Sequence, residues 1–207
     1  MYKIFAVSDA TGKTANRVLD PELMSLAKQS GLLHLNLGIE SIKQETLDGM
    51  NKRTTKADSL KEVISTLHAL GISYSFNLIF GWDMDHEADF RHTLEFLKKN
   101  KVQTAFFNSF GPHKGTKIYD RFKDEGRILD PENMDRWPGI HAKIYPKNFS
   151  PKALEVGIRT MYREFYSWPS MLRRLPMPFN VSSMASWSVN LSQRKFVYGK
   201  GTNFDSY

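Results

Sequence analysis

The sequence has no cysteine among its 207 residues. Disulfides, thiolate nucleophiles and cysteine-ligated zinc or iron–sulfur centres are therefore excluded as contributions of this chain. Long apolar runs are missing too: none approaches the roughly 20 residues of a membrane-spanning helix. The first residues also lack the basic start, apolar stretch and small-residue cleavage site of a secretory signal. A cytoplasmic protein without a membrane span is the expectation. Acidic residues are the minority charge, 22 Asp and Glu against 29 Lys and Arg, a formal net charge of +7. That balance suits an anionic partner, and the arginines at 173 and 174 offer a surface for RNA or anionic lipid. A solvated basic face explains the same charge, and nucleic acid is not the expected partner.

One absent glycine settles a motif. Thr11-Gly12-Lys13-Thr14 ends like a phosphate-binding loop, but a Walker loop needs another glycine five positions before Gly12, so that successive backbone N–H groups can wrap a phosphate. Val7 stands there. No Walker loop is expected.

What is present reads as alternating helices and strands. A short strand is expected at Tyr2–Val7. Asp20-Pro21 is a helix start, with Leu23, Leu26 and Ala27 as its apolar face and Gly31 as its stop. LLHLNLGIES then reads as a strand ending at Gly38. Leu60, Val63, Ile64, Leu67 and Leu70 fall at helical spacing before Gly71, and ISYSFNLIFG follows as a buried strand. Phe90, Leu94 and Leu97 mark another helix, VQTAFFNSF another strand, and GTKIYDRFKDEG a short helix closing at Gly126. Strands separated by helices imply right-handed parallel crossovers, hence an α/β sheet or part of a barrel. After Leu129 comes a proline-rich connector, then a helix capped by Ser150 with Leu154, Ile158, Met161, Tyr162 and Phe165 as a core-facing stripe. From Ser167 onward little periodicity remains, and the segment is expected to wrap the preceding layers or stay partly loose.

In parallel α/β folds ligands bind outside the carboxyl ends of the strands. Gly38, Glu40 and Ser41 put a glycine, a carboxylate and a hydroxyl at one such tip, suited to a vicinal diol such as a ribose. Alternatively Ser41 caps a helix starting near Lys43 and Glu40 is solvated. At the second tip Asp83, Asp85, His86 and Glu87 follow Gly81; they are either a hard-metal site or the acidic first turn of a helix. The third tip, NSFGPHKGT, either cradles a carboxylate or phosphate or is a plain strand-to-helix turn.

Four stretches, LDPELMSLAKQSGLLHLNLGIES, ETLDGMNKRTT, GISYSFNLIFGWDMD and GPHKGTKIYDRFKDEGRIL, resemble in that order the C-terminal half of the radical S-adenosylmethionine (SAM) superfamily. The nearest subgroup carries an N-terminal cobalamin-binding domain, and PKNFSPKALEVGIRTMYREFYSWPSMLRRL resembles its accessory C-terminal region. The resemblance implies an incomplete (β/α) half-barrel over 18–130 and a mainly helical accessory region over 131–207. It implies Gly38, Glu40 and Ser41 near the ribose or amino-acid part of SAM, Asn77 and Gly81 on the adenosine side, and Asn108 and Ser109 facing the pocket. Lys52 and Arg53 are its candidates for the SAM carboxylate, or a solvated surface pair. The family's thiolate-ligated [4Fe-4S] cluster and its CxxxCxxC loop have no counterpart here, nor does the cobalamin domain. The sixth-strand loop departs as well, with Gly111-Pro112 and Lys114-Gly115-Thr116 where the family has Thr-Pro and Pro-Gly-Thr. The expectation is a fragment of a radical SAM enzyme, inactive alone, whose parent acts on a small or lipid-like substrate and whose partner is the missing N-terminal half. The alternatives are a non-catalytic remnant that binds a nucleotide or a partner, and a regulatory kinase-like protein, which only the first residues suggest. Residues 1–17, with IFAVSDATGKTANRV, instead resemble the start of the regulatory kinases that act on pyruvate phosphate dikinase or phosphoenolpyruvate synthase, without that family's core residues.

Overall fold

A computed structural model describes residues 17–52, 57–132, 139–176, 181–199 and 204. The strand expected at 2–7, the Gly-Lys-Thr at 12–14 and Arg53 lie outside these residues.

Helix α1 (Pro21–Gln29) leads into β1 (His34–Glu40). A short α2 (Gln44–Gly49), a 3-10 turn (Ala57–Ser59) and α3 (Leu60–Leu70) carry the chain to β2 (Ser73–Phe80). Helix α4 (Glu87–Lys99) joins β2 to β3 (Thr104–Ser109), and α5 (Lys117–Asp124) follows. The strands form a parallel sheet in the order β1-β2-β3. Three further helices, α6 (Pro151–Phe165), α7 (Trp168–Arg174) and α8 (Val181–Tyr198), complete the described chain. This is the α/β arrangement expected, a partial (β/α) fold with a helical C-terminal region.

The alternation of side chains along each strand divides the sheet into two unlike faces. Leu35, Leu37, Ile39, Tyr74, Phe76, Leu78, Phe80, Ala105 and Phe107 make one face, buried in the core against the helices. Their apolar area removed from water is the main force holding the helices on. The other face is polar. His34 Nδ1 pairs with Ser73 Oγ at 2.7 Å, and Ser75 Oγ and Asn77 Nδ2 both donate to Asn36 Oδ1, at 2.9 and 2.7 Å. Helix α8 crosses the start of this polar face and is polar where it touches it. Ser186 Oγ meets Ser73 Oγ and Gln103 Oε1 at 2.6 Å each, and Asn190 Nδ2 donates to Thr104 Oγ1 at 3.0 Å.

Among the described residues no strand pairs with β3 on its outer side, and side chains and one loop carbonyl satisfy that edge instead. Tyr166 Oη donates to Ala105 O at 2.7 Å, and Tyr162 Oη accepts from Phe107 N at 3.1 Å. Asn190 and Arg174 donate to Gln103 O, and Ser109 N donates to Gly139 O. Burial pushes the Tyr162 phenol up to about 12 and raises that of Tyr166 as well, so both hydroxyls stay protonated. Helix α6 reaches this edge by coming close to α4: a Cβ at Gly157 would stand 2.6 Å from the Phe90 ring.

Helix α1 departs from its expected face. Asp20 caps it as the sequence implies, accepting from Glu22 N and Leu23 N at 3.1 Å. The helix buries Met24, however, and leaves Leu23 and Leu26 exposed at 41% and 58%. In the segment after Ser167, α7 and the 18-residue α8 form the mainly helical region that the resemblance implies, and α8 wraps onto the sheet. The five helices α1 to α5 all end alike, with a left-handed residue and the paired hydrogen bonds of a Schellman motif. Gly31, Gly71 and Gly126 take that position readily, while Asn51 and Lys101 occupy it at φ 58° and 52°.

Candidate functional site

The site lies at the carboxyl end of β1. The register of β1 on β2 slips between Gly38 and Glu40, and Glu40 adopts φ 64°, a left-handed backbone unusual for a residue with a side chain. The Glu40 carboxylate then accepts a hydrogen bond from Lys52 Nζ at 2.9 Å, both side chains being largely shielded from solvent. Two local features set this pair. A Cβ at Gly38 would lie 2.9 Å from Glu40 Oε1, so the glycine leaves room for the carboxylate. The Schellman end of α2, with Asn51 N donating to Asp48 O and Lys52 N to Leu47 O, turns Lys52 back toward the strand tip.

Glu40 and Lys52 open onto a cavity of about 840 Å³ whose other walls include Ile79, Trp82, Phe110 and Arg121. Trp82 and Phe110 meet edge to face with centroids 4.6 Å apart. The indole is fixed from behind, since a Cβ at Gly49 would come within 2.7 Å of its Nε1. Arg121 lies over the Trp82 ring, 5.6 Å from its centroid, and its Nη2 pairs with Asp83 Oδ2 at 3.0 Å. Burial alone would raise the Asp83 carboxyl. The Arg127 hydrogen bond and the charges of Arg127, Arg121 and Lys147 outweigh it and hold the group below the usual carboxylate value.

The acidic second tip has other partners. Asp85 Oδ2 accepts from Gly81 N and Trp82 N at 2.9 and 3.0 Å, and its Oδ1 accepts from Thr46 Oγ1 at 2.9 Å. Burial raises the Asp85 carboxyl despite these bonds. His86 and Asp89 form the capping box of α4. Among the described residues no three or more His, Asp or Glu side chains gather as a metal would require. The Asp85 loop is a folded turn that holds Trp82 in the cavity wall.

Of the residues singled out from sequence, Gly38, Glu40 and Lys52 come together. Ser41 Oγ accepts from Lys43 N at 3.1 Å and so caps a local turn. Asn77 shares the polar face but is bonded to Asn36. Gly81, at φ 103°, faces Leu154 of α6 and closes the Asp85 turn. Asn108 lies beside Gly139, where a Cβ would meet its Oδ1 at 2.5 Å. Ser109, one residue on, is on the opposite face and donates to His141 O. The aromatic and basic walls, Trp82, Phe110, Lys117 and Arg121, were not expected from sequence. Their signal is position: Phe110 directly follows β3, and Trp82 stands two residues beyond the end of β2.

Chemically, a carboxylate beside an ammonium at the mouth of a half-apolar cavity can accept two hydrogen bonds from a vicinal diol and pair with a carboxylate on the same ligand. Residues 8–97 match the family model for the radical SAM superfamily, a match that begins inside the segment 1–17. The chain is 29% identical to the bacteriochlorophyllide d C-12(1)-methyltransferase of Chlorobaculum tepidum over 183 residues, 88% of this chain and 39% of that protein. It is 26% identical to the bacteriochlorophyllide d C-8(2)-methyltransferase of the same organism over 77% of this chain and 35% of that protein. It is 26% identical to the anaerobic magnesium-protoporphyrin IX monomethyl ester cyclase of Cereibacter sphaeroides over 71% of this chain and 23% of that protein. The chain thus spans well under half the length of these relatives. Residues 8–97 thus match the radical SAM superfamily, and the relatives that the chain resembles over most of its length are methyltransferases and a cyclase.

Proposed function

We propose that this chain forms the SAM-binding part of a radical SAM enzyme of the methyltransferase or cyclase kind. Glu40 accepts hydrogen bonds from the ribose hydroxyls, and Lys52 pairs with the SAM carboxylate while still held by Glu40. The observation that carries the reading is the Glu40–Lys52 pair, set by a strained strand end at the mouth of the cavity. Strained backbone at a ligand-facing strand tip is where functional constraint outweighs local stability.

SAM, when bound, supplies the alkyl or radical chemistry of the family. The family's cluster is a different matter: these 207 residues contain no cysteine to ligate it, so they do not fit a thiolate-held cluster and no step is assigned through one. The wall formed by Trp82 and Phe110, with Lys117 and Arg121 at its rim, suits a flat ring bearing carboxylates, the chemistry of the tetrapyrroles named in three of the relatives.

The test is a calorimetric titration of the chain with SAM and, separately, with adenosine. Saturable heat with SAM, reduced for adenosine because Lys52 then lacks a carboxylate partner, is the expected result. No heat with SAM, or equal affinity for the two, would overturn the assignment.

A further inference from the structure

Helix α8 is inside out. Its buried positions are Ser183, Ser186, Asn190 and Val197, while Val181, Met184, Leu191 and Tyr198 are exposed at 46, 59, 45 and 47%. Helix α7 adds Trp168 and Leu172, exposed at 46% and 65%. The outer sides of the two helices are joined by Arg194. Its guanidinium lies over the Trp168 ring at 4.7 Å and the Tyr198 ring at 4.4 Å, and its Nη1 donates to Tyr166 O. Leu172 and Leu191 flank that stack one helical turn from Trp168 and Arg194, and the exposed Arg173 and Lys195 stand beside them.

The charge of the segment is one-sided. From Phe165 to Phe204 the sequence has no Asp or Glu, although the chain contains 22, and of its cations Arg173 and Lys195 are exposed, Arg194 bridges the two helices and Arg174 is buried beneath them. A protein partner generally meets mixed charge and little lysine. A surface with apolar side chains, interfacial Trp and Tyr, and cations with no anion among them is complementary to a negative lipid headgroup layer over hydrocarbon. Nucleic acid would match the charge but leave Leu172, Met184 and Leu191 against phosphates.

We propose that the outer face of α7 and α8 docks on the surface of an anionic lipid bilayer. Leu172, Leu191 and Met184 enter the acyl boundary, Trp168 and Tyr198 lie at headgroup level, and Arg173 and Lys195 meet phosphates. No described helix is long and apolar enough to cross a membrane, so the attachment is peripheral. The inference is independent of the SAM reading, since no residue of this face borders the cavity.

The test is co-sedimentation of the full chain with phosphatidylcholine vesicles, with and without phosphatidylglycerol. Binding to the anionic vesicles that falls with added salt is the expected result. The pair Leu172→Asp and Leu191→Asp should abolish it, and Arg173→Glu with Lys195→Glu should weaken it by roughly tenfold or more. Circular dichroism shows that each variant is folded; should the aspartate pair unfold, the charge-reversal pair retains the test. Equal pelleting with neutral and anionic vesicles, or none, would overturn the proposal. So would a dimer in sedimentation velocity that the aspartate pair disperses, which would give the face to a second copy. Salt-sensitive retention of RNA without vesicle binding would overturn it too.

Discussion

Replacing Glu40 separates fold from function, because its backbone and its carboxylate push in opposite directions. A non-glycine residue held at φ 64° costs roughly 1 to 2 kcal/mol. Glycine is free of that strain but loses more chain entropy on folding, roughly 0.5 to 1 kcal/mol. Both Glu40→Gly and Glu40→Ala remove the pair with Lys52, and only the first relieves the backbone. Glu40→Gly should therefore be more stable than Glu40→Ala by roughly 0.5 to 1 kcal/mol, read from urea midpoints at equal slope. SAM affinity should behave differently. Both variants lose a charged hydrogen-bond acceptor, about 1.5 to 3 kcal/mol, which corresponds to roughly 10- to 150-fold weaker binding by calorimetry. Equal urea midpoints for the two variants would show that the strand end is not strained. Undiminished SAM binding by either would remove the carboxylate from the site. The two measurements fail separately, so a wrong ligand would not conceal a right backbone.

Three further outcomes follow from other parts of the fold. Arg174 is buried, stacks 3.6 Å over Phe165, and donates to Val102 O, Gln103 O, Phe165 O and Asn190 Oδ1. Arg174→Met should lower stability by about 3 kcal/mol by leaving buried acceptors unpaired, whereas the exposed Arg173→Ala should change it by less than about 0.5; similar urea midpoints for the two would refute the role. Lys101→Gly, at φ 52°, should raise stability by about 0.5 to 1 kcal/mol in the same assay, and a loss would count against strain there. Asp83 has a folded pKa below its unfolded value, so its contribution is present above the ordinary carboxylate range and is lost as pH falls through the lower folded value. The melting temperature of Asp83→Asn should accordingly lie below that of the parent at neutral pH and converge with it in acid; a constant gap across pH would contradict the linkage.

The parts of the fold legible in the sequence were those where one face is apolar at a regular spacing. Leu60, Val63, Ile64 and Leu67 announce α3, and the Ser150-Pro151 start with Leu154, Ile158 and Phe165 announces α6. Helix α8 gave no such sign because it buries serines and an asparagine against a polar sheet face, so a search for buried apolar periodicity finds nothing. Helix α1 misled for the converse reason, its leucines being exposed and its methionine buried. At the site, Glu40 was readable as a strand-tip carboxylate with glycine two residues before it. Its partner's approach depends on the left-handed Asn51, and the wall depends on the turn that Asp85 ties around Gly81 and Trp82. Both are tertiary facts. Ser109 could have been set aside from sequence alone, since neighbours on a strand point to opposite faces and Asn108 already claimed one.

The sealed edge of β3 determines how copies of this sheet can associate. With Tyr162 and Tyr166 occupying outward groups of β3, and Arg174 and Asn190 holding Gln103 O just before it, a new strand is blocked beyond β3. Two copies therefore cannot join through strands β3 to β3. A sheet sealed on that side cannot grow head to tail, strand on strand, into an open-ended fibre.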